Sequence, residues 1–214
     1  MRLKIIFLLL ILTLISGCGT GGLNKITGRF ISCISLDGDE CYKDIAKERQ
    51  DVSFCDVIKD RLSAENCYAE VAQAANDSEI CNEIEGIYWH DICFKKLAIA
   101  NGNTKLCGEI REVMDGNKCL LEIGEGNHDL NACKIITNID MRDSCFKSIA
   151  LATEDEELCG MVTNELERSV CYIKIAKAKD SISICSKITI GVIKDDCYKK
   201  ISGIENIERK VVRV

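Results

Sequence analysis

From Asp51 onward, apolar and polar positions recur along the chain with a period of 26 residues. Six full units begin at Asp51, Asp77, Asn103, Asp129, Asp155 and Ser181. Asp, Asn and Ser are strong N-cap types, because their side chains accept hydrogen bonds from the free N–H groups of a first helical turn. Four residues on stands a Cys, preceded by Phe54, Ile80, Leu106, Ala132, Leu158 or Ile184. Three after that Cys comes Ile58, Ile84, Ile110, Ile136, Val162 or Ile188. One turn further lie Leu62, Tyr88, Met114, Leu166 and Val192, with Asp140 as the exception. This i, i+4, i+8 stripe predicts an amphipathic helix running from the cap to a turn near Leu62–Ala64 and its equivalents.

A second helix is predicted in each unit. It carries Tyr68, Phe94, Leu120, Phe146, Tyr172 or Tyr198, then Val71, Leu97, Ile123, Ile149, Ile175 or Ile201. Next to the latter is a small residue: Ala72, Ala98, Gly124, Ala150, Ala176 or Ser202. Small side chains let a neighbouring helix approach closely. Each predicted helix has about eleven residues, too short to persist alone in water.

The cysteines supply the missing stability. There are 15, and setting Cys18 aside leaves 14. In the full units the spacings alternate 12 and 14 without exception, and a shortened first unit carries Cys33 and Cys41. Pairing across 12 leaves no cysteine over, whereas pairing across 14 strands Cys33 and Cys197. The partners across 12 also lie at similar heights from the turn of an antiparallel hairpin, as a disulfide's short Cα–Cα distance demands. The predicted bridges are Cys33–Cys41, Cys55–Cys67, Cys81–Cys93, Cys107–Cys119, Cys133–Cys145, Cys159–Cys171 and Cys185–Cys197. Each closes a short loop and is valued at roughly 3 kcal/mol by chain entropy.

The fold class is therefore all-α: a right-handed-type α-solenoid of stacked two-helix repeats, period 26, one disulfide per hairpin. In organisation alone it resembles the tetratricopeptide and Sel1-like class. The domains expected are a leader at 1–17, a tether at 18–25, the shortened hairpin at 26–50, six repeats at 51–206 and a cap or tail at 207–214.

The first residues change the picture of location. Arg2 and Lys4 precede an eleven-residue apolar run, Ile5 to Ile15, which suits a signal-peptide core and is short for a membrane span. The run ends in Ile15-Ser16-Gly17-Cys18, which resembles the lipobox of prokaryotic lipoproteins. That resemblance implies cleavage before Cys18, lipidation of its thiol and membrane attachment through the lipid. The chain would be exported and anchored to the outer face of the cytoplasmic membrane or to the outer membrane. Export also places the paired cysteines in an oxidising compartment. The net charge is −6; losing Arg2 and Lys4 makes it −8. Such an acidic chain argues against nucleic acid as a partner, since that binding rests on Lys and Arg contacts to phosphate.

No catalytic constellation is legible. CxxC spacing is absent, which disfavours structural zinc and thioredoxin-like redox chemistry. The two histidines, His90 and His128, lie in no nucleophile or metal motif. No cofactor is implied. Tyr88-Trp89-His90 holds the single Trp and is a possible contact patch, with packing beside the core as the plainer account. Glu122, Glu125, His128 and Asp129 could form a cation site; a unit loosened into a hinge by Gly124 and Gly126 is the stronger expectation. The expected function is non-enzymatic, an interaction or scaffold module with a protein or envelope-polymer partner. The alternatives are a cell-wall-acting enzyme or accessory, and a cation- or small-ligand-binding protein.

Overall fold

The computed structural model describes residues 38–203. The leader, Cys18, the tether, Cys33 and the 207–214 tail lie outside the described residues. Everything described is helix, turn or loop, with no strand among these residues. The repeats are stacked helical pairs, and six bridges join cysteines twelve apart with Cα–Cα distances of 5.6–5.7 Å.

The two helices of a repeat are unequal, which corrects the sequence expectation. The long ones are α1 (Gly38–Arg49), α2 (Arg61–Ala75), α3 (Ile87–Asn101), α4 (Val113–Asn127), α5 (Ile139–Thr153), α6 (Glu165–Ala178) and α7 (Gly191–Ile201). The first helix of each repeat is a stub of four to six residues: Val52–Val57, Glu79–Glu83, Thr104–Cys107, Leu130–Ile135, Glu156–Cys159 or Ile182–Lys187. The stub stops because its backbone turns extended soon after the first Cys. Ile58 (ψ 125°), Ile84, Ile136 and Ile188 all leave the helix this way, each with its N–H on the carbonyl of that Cys. The side chains of these residues, with Ile110 and Val162, still enter the core. A second set of caps starts the long helix: Asn138 accepts from Met141 N–H, and Asn164 from Leu166 and Glu167 N–H. Leu62–Ala64 thus belongs to the first turn of α2 instead of the turn between helices.

The predicted caps at the unit starts hold at five positions. Asp51, Asp77, Asn103, Asp129 and Asp155 each accept from a backbone N–H two residues on, at 2.8–3.1 Å. Ser181 makes no such bond and pairs its hydroxyl with Ser183. The residue before each cap is left-handed: Gln50, Asn76, Gly102, His128, Glu154 and Asp180 all have φ between 48° and 61°. The cap's own N–H then returns to the preceding helix, as in Asp129 to Gly124 O (3.0 Å) and Asp155 to Ala150 O (3.0 Å). One residue closes a long helix by a Schellman-type bond and opens the next stub.

The chain divides into two compact units, Met1–Ala75 and Asn76–Val214. In the first, α1 packs on the Val52–Val57 stub and α2, with Ile45, Ala46, Phe54 and the Cys55–Cys67 bridge buried. Gln50 Nε2 donates to Ala74 O (2.7 Å), and Arg49 lies over the Phe54 ring at 5.3 Å. In the second, α3 to α7 pack on one another in sequence order with the stubs between them. Its core alternates small residues with disulfides: Ala150, Cys159–Cys171, Ala176 and Cys185–Cys197 share one cluster.

The loosening expected at Gly124 and Gly126 is not seen in the helix. Helix α4 is continuous over 15 residues through both glycines. Gly124 is a site of close approach: a Cβ there would lie 2.5 Å from Cys145 Sγ and 3.1 Å from Cys133 Sγ. The next repeat's bridge occupies the space a side chain would need. Gly126 has nothing within 4 Å and faces open space.

Candidate functional site

The column Leu62, Tyr88, Met114, Leu166, Val192, expected to finish an apolar stripe, is exposed throughout. In the second unit the exposures are 67% for Tyr88, 47% for Met114, 54% for Leu166 and 82% for Val192. The physical reason is the early end of the stub. These residues stand at the second position of the long helices, where the chain has already turned outward. The preceding position adds exposed Ile87, Val113 and Ile139. Helices α3 to α7 pack in sequence order, so this recurrence puts exposed apolar residues at the starts of successive neighbouring helices, an apolar ridge in that sense. Its fifth residue type is Asp140, the single polar member of the column.

Between α3 and α4 the ridge opens into a groove of about 460 Å³. Ile87, Tyr88 and Ile92 supply its apolar wall, and Glu112, Asp115 and Lys118 face them. Lys118 Nζ pairs with Asp115 at 2.7 Å, and Lys95 Nζ with Glu122 at 2.5 Å. Tyr88 and Trp89 meet edge to face with centroids 5.2 Å apart. The three residues of the aromatic patch therefore divide: Tyr88 lines the groove, Trp89 is half-buried beside it, and His90 is buried against Phe94 at 4.8 Å.

Below the ridge lies a feature the sequence reading missed. Two residues before the second Cys of each repeat stands a polar residue: Glu65, Asp91, Asn117, Asp143, Ser169 or Asp195. The first five are buried. Asp91 accepts Arg111 N–H and Glu112 N–H, both at 3.0 Å, one on each oxygen. Asn117 Oδ1 accepts Thr137 N–H at 2.7 Å and Asn138 N–H at 3.4 Å, while its amide donates to Val113 O and Thr137 Oγ1. Asp143 accepts Thr163 N–H at 2.9 Å and Asn164 N–H at 2.7 Å. Each of these side chains thus grips the two residues that open the following repeat's long helix. The signal was a polar column of strict period inside an otherwise apolar helix face.

Burial alone would raise the Asp91 carboxyl, but the Arg111 and Glu112 N–H groups and His90 Nδ1 at 2.9 Å outweigh it and hold its pKa below the ordinary value. Elsewhere in the second unit an exposed ionic cluster links stubs and helices. Lys179 Nζ reaches Glu156 at 2.7 Å and lowers its pKa, while contact with Glu157 raises that of Lys187.

Comparison with protein-family models, with curated proteins and with solved structures finds no match for this chain. The ridge, the groove and the buried grips are therefore interpreted on their own chemistry. Among the described residues, no group of three or more His, Cys, Asp or Glu is placed to hold a metal ion. The supposed cation cluster is dispersed: Glu122 pairs with Lys95, His128 is the left-handed residue after α4, and Asp129 caps the next stub. No helix among the described residues is long and apolar enough to cross a membrane.

Proposed function

We propose that this chain is an exported, lipid-anchored repeat protein that acts as a non-enzymatic interaction or scaffold module at the envelope of a prokaryotic cell. The observation that carries the interaction role is the apolar ridge. Large apolar side chains stay exposed at the same position of most repeats. Exposed large apolar side chains that recur in this way are the feature expected of a contact site. Export is supported by the signal-like leader, and by buried, paired cysteines that persist in oxidising compartments. Anchoring rests on the lipobox-like Ile15-Ser16-Gly17-Cys18. Two or more acyl chains are needed for stable attachment, and an acidic chain has no polybasic second signal to replace them.

Two measurements test the proposal. Metabolic labelling with a fatty acid should mark the wild type, and Cys18→Ser should abolish both the label and sedimentation with membranes. Immobilised oxidised protein should retain a defined envelope component, and Tyr88→Ser with Met114→Ser should release it. Membrane association that survives Cys18→Ser would remove the anchor. Retention indifferent to the ridge substitutions would remove the assigned surface.

A further inference from the structure

The bridges of the second unit are sealed. Each of their cysteines is 2% exposed or less. At Cys133–Cys145 the covering is direct: Gly124 of α4 lies so close that a Cβ there would sit 2.5 Å from Cys145 Sγ. A thiolate must reach a bridge sulfur to break it. In the closed stack none can, so reduction waits on a repeat opening and follows how often each one opens.

The repeats are not equally held. The repeat of Cys107–Cys119 is gripped on both sides, by Asp91 on Arg111 and Glu112 N–H and through its own Asn117 on Thr137 N–H. The repeat of Cys133–Cys145 lies likewise between the Asn117 and Asp143 grips. The repeat of Cys159–Cys171 has the Asp143 grip alone, because Ser169 bonds Glu165 O within its own helix. That leaves the start of α7 without a grip. The repeat of Cys185–Cys197 is tied instead by exposed groups, Thr189 on Glu165 and Lys187 on Glu157, and by Ile184 and Ile188 of its stub in the core. Of α7 only Cys197 is buried, whereas α6 also buries Tyr172, Ile175 and Ala176.

We infer that Cys185–Cys197 is a redox switch: a dithiol reduces it ahead of the other bridges of the second unit, and its loss releases residues 181–203 while the repeats before them stay folded. This goes beyond the interaction role and does not rest on it. One sulfur of the dithiol, as thiolate, bonds to Sγ of one cysteine. The bridge breaks, and its electron pair leaves on the other cysteine, which takes up a proton. The second thiol of the reagent then closes on the mixed disulfide and frees the first cysteine. The bridge gains two electrons and two protons, and the dithiol ends as a disulfide. Without the bridge, the stub Ile182–Lys187 has six residues and α7 has eleven, both too short to persist alone. A bridge deeper in the stack has no such exit, since stacked repeats are held by their neighbours on both sides.

The test exposes the full oxidised chain to dithiothreitol for increasing times, traps free thiols with N-ethylmaleimide and locates the label by peptide mass spectrometry. Cys185 and Cys197 should be labelled first, about tenfold faster than Cys107 and Cys119, the factor expected for a missing buried grip. Amide exchange on the species labelled at these two alone should show residues 181–203 unprotected and α4 and α5 unchanged. Ser169→Asp should slow this first step and leave Cys107–Cys119 as it was. Asp143→Ala, which removes an existing grip, should bring Cys159–Cys171 forward. The inference is overturned if the bridges of the second unit are reduced together, or if another of them precedes Cys185–Cys197. It is equally overturned if α7 keeps its protection once Cys185 and Cys197 are free, or if neither substitution alters the order.

Discussion

Asp143 lies in the second turn of α5, buried, with one carboxylate oxygen on Thr163 N–H and the other on Asn164 N–H. A donor stripped of its acceptor near the interior costs about 1–3 kcal/mol. Asp143→Ala should therefore lower stability by about 2 kcal/mol, read from denaturant midpoints at unchanged slope. Asp143→Asn should cost far less, because Asn117 already grips two N–H groups with a single oxygen. Asp91 adds a pH signature. Its folded pKa is depressed, so its contribution is complete above the unfolded value of about 3.9 and is lost as pH falls through the folded one. The stability gap between wild type and Asp91→Asn should be constant near neutral pH and close progressively below about pH 4. A gap that closes on the alkaline side would contradict this assignment. Gly124 gives a residue-scale test of packing. Ala has the better helix propensity by up to about 1 kcal/mol, but its Cβ would meet Cys145 Sγ at 2.5 Å. Overpacking of about 1–3 kcal/mol should win, so Gly124→Ala should destabilise despite sitting in a helix.

At the scale of elements, the stub explains why each repeat carries its bridge. Thr104–Cys107 has four residues, a single turn, far below the length at which a helix persists by itself. Its position is set by the Asn103 cap at one end and the Cys107–Cys119 bridge at the other. Removing the bridge as Cys107→Ala with Cys119→Ala should cost about 2–4 kcal/mol. Amide exchange should rise first in the stub, while α4 keeps its protection. Equal loss across stub and long helix would mean that the bridge stabilises the repeat as a whole. The bridges themselves were legible in the sequence, because parity and the fixed spacing of twelve left one consistent pairing. The unequal helices were not. Phe54, Ile58 and Leu62 keep helical spacing, yet the backbone turns extended at Ile58, and the third residue belongs to the next helix. A periodic stripe cannot reveal that break. The second caps, Asn138 and Asn164, could have revealed it. The candidate site was hidden for the same reason: residues counted as core became the exposed ridge. The buried grips were hidden because a polar residue beside a Cys reads as surface until its partner in the next repeat is known.

At the scale of the second unit, the grips make a chain of connections with one different member. Asp91, Asn117 and Asp143 each bind the start of the following long helix. Ser169, at the next equivalent position, turns its hydroxyl to Glu165 O within its own helix at 2.8 Å. Near the start of α7 the side-chain bond is instead an exposed one, Thr189 Oγ1 on Glu165 Oε1 at 2.5 Å, beside the Lys187–Glu157 ion pair of the final stub. Exposed side-chain bonds contribute less than buried ones that satisfy backbone donors. Stacked repeats interact only with neighbours, so a weak joint lets the outer repeat open separately. Native-state hydrogen exchange should then show residues 181–203 opening at lower free energy than residues 103–178. Ser169→Asp should reverse this. The Asp side chain has room at the equivalent positions 91 and 143, and it would offer its oxygens to the N–H groups of Thr189 and Ile190. Recovery of about 1 kcal/mol in the last repeat, lost again below about pH 4 as that carboxylate protonates, would identify the grip as what joins one repeat to the next. Unchanged exchange in that variant would instead assign the cohesion of the stack to the apolar core of Ile175, Ile184 and Ile188 alone.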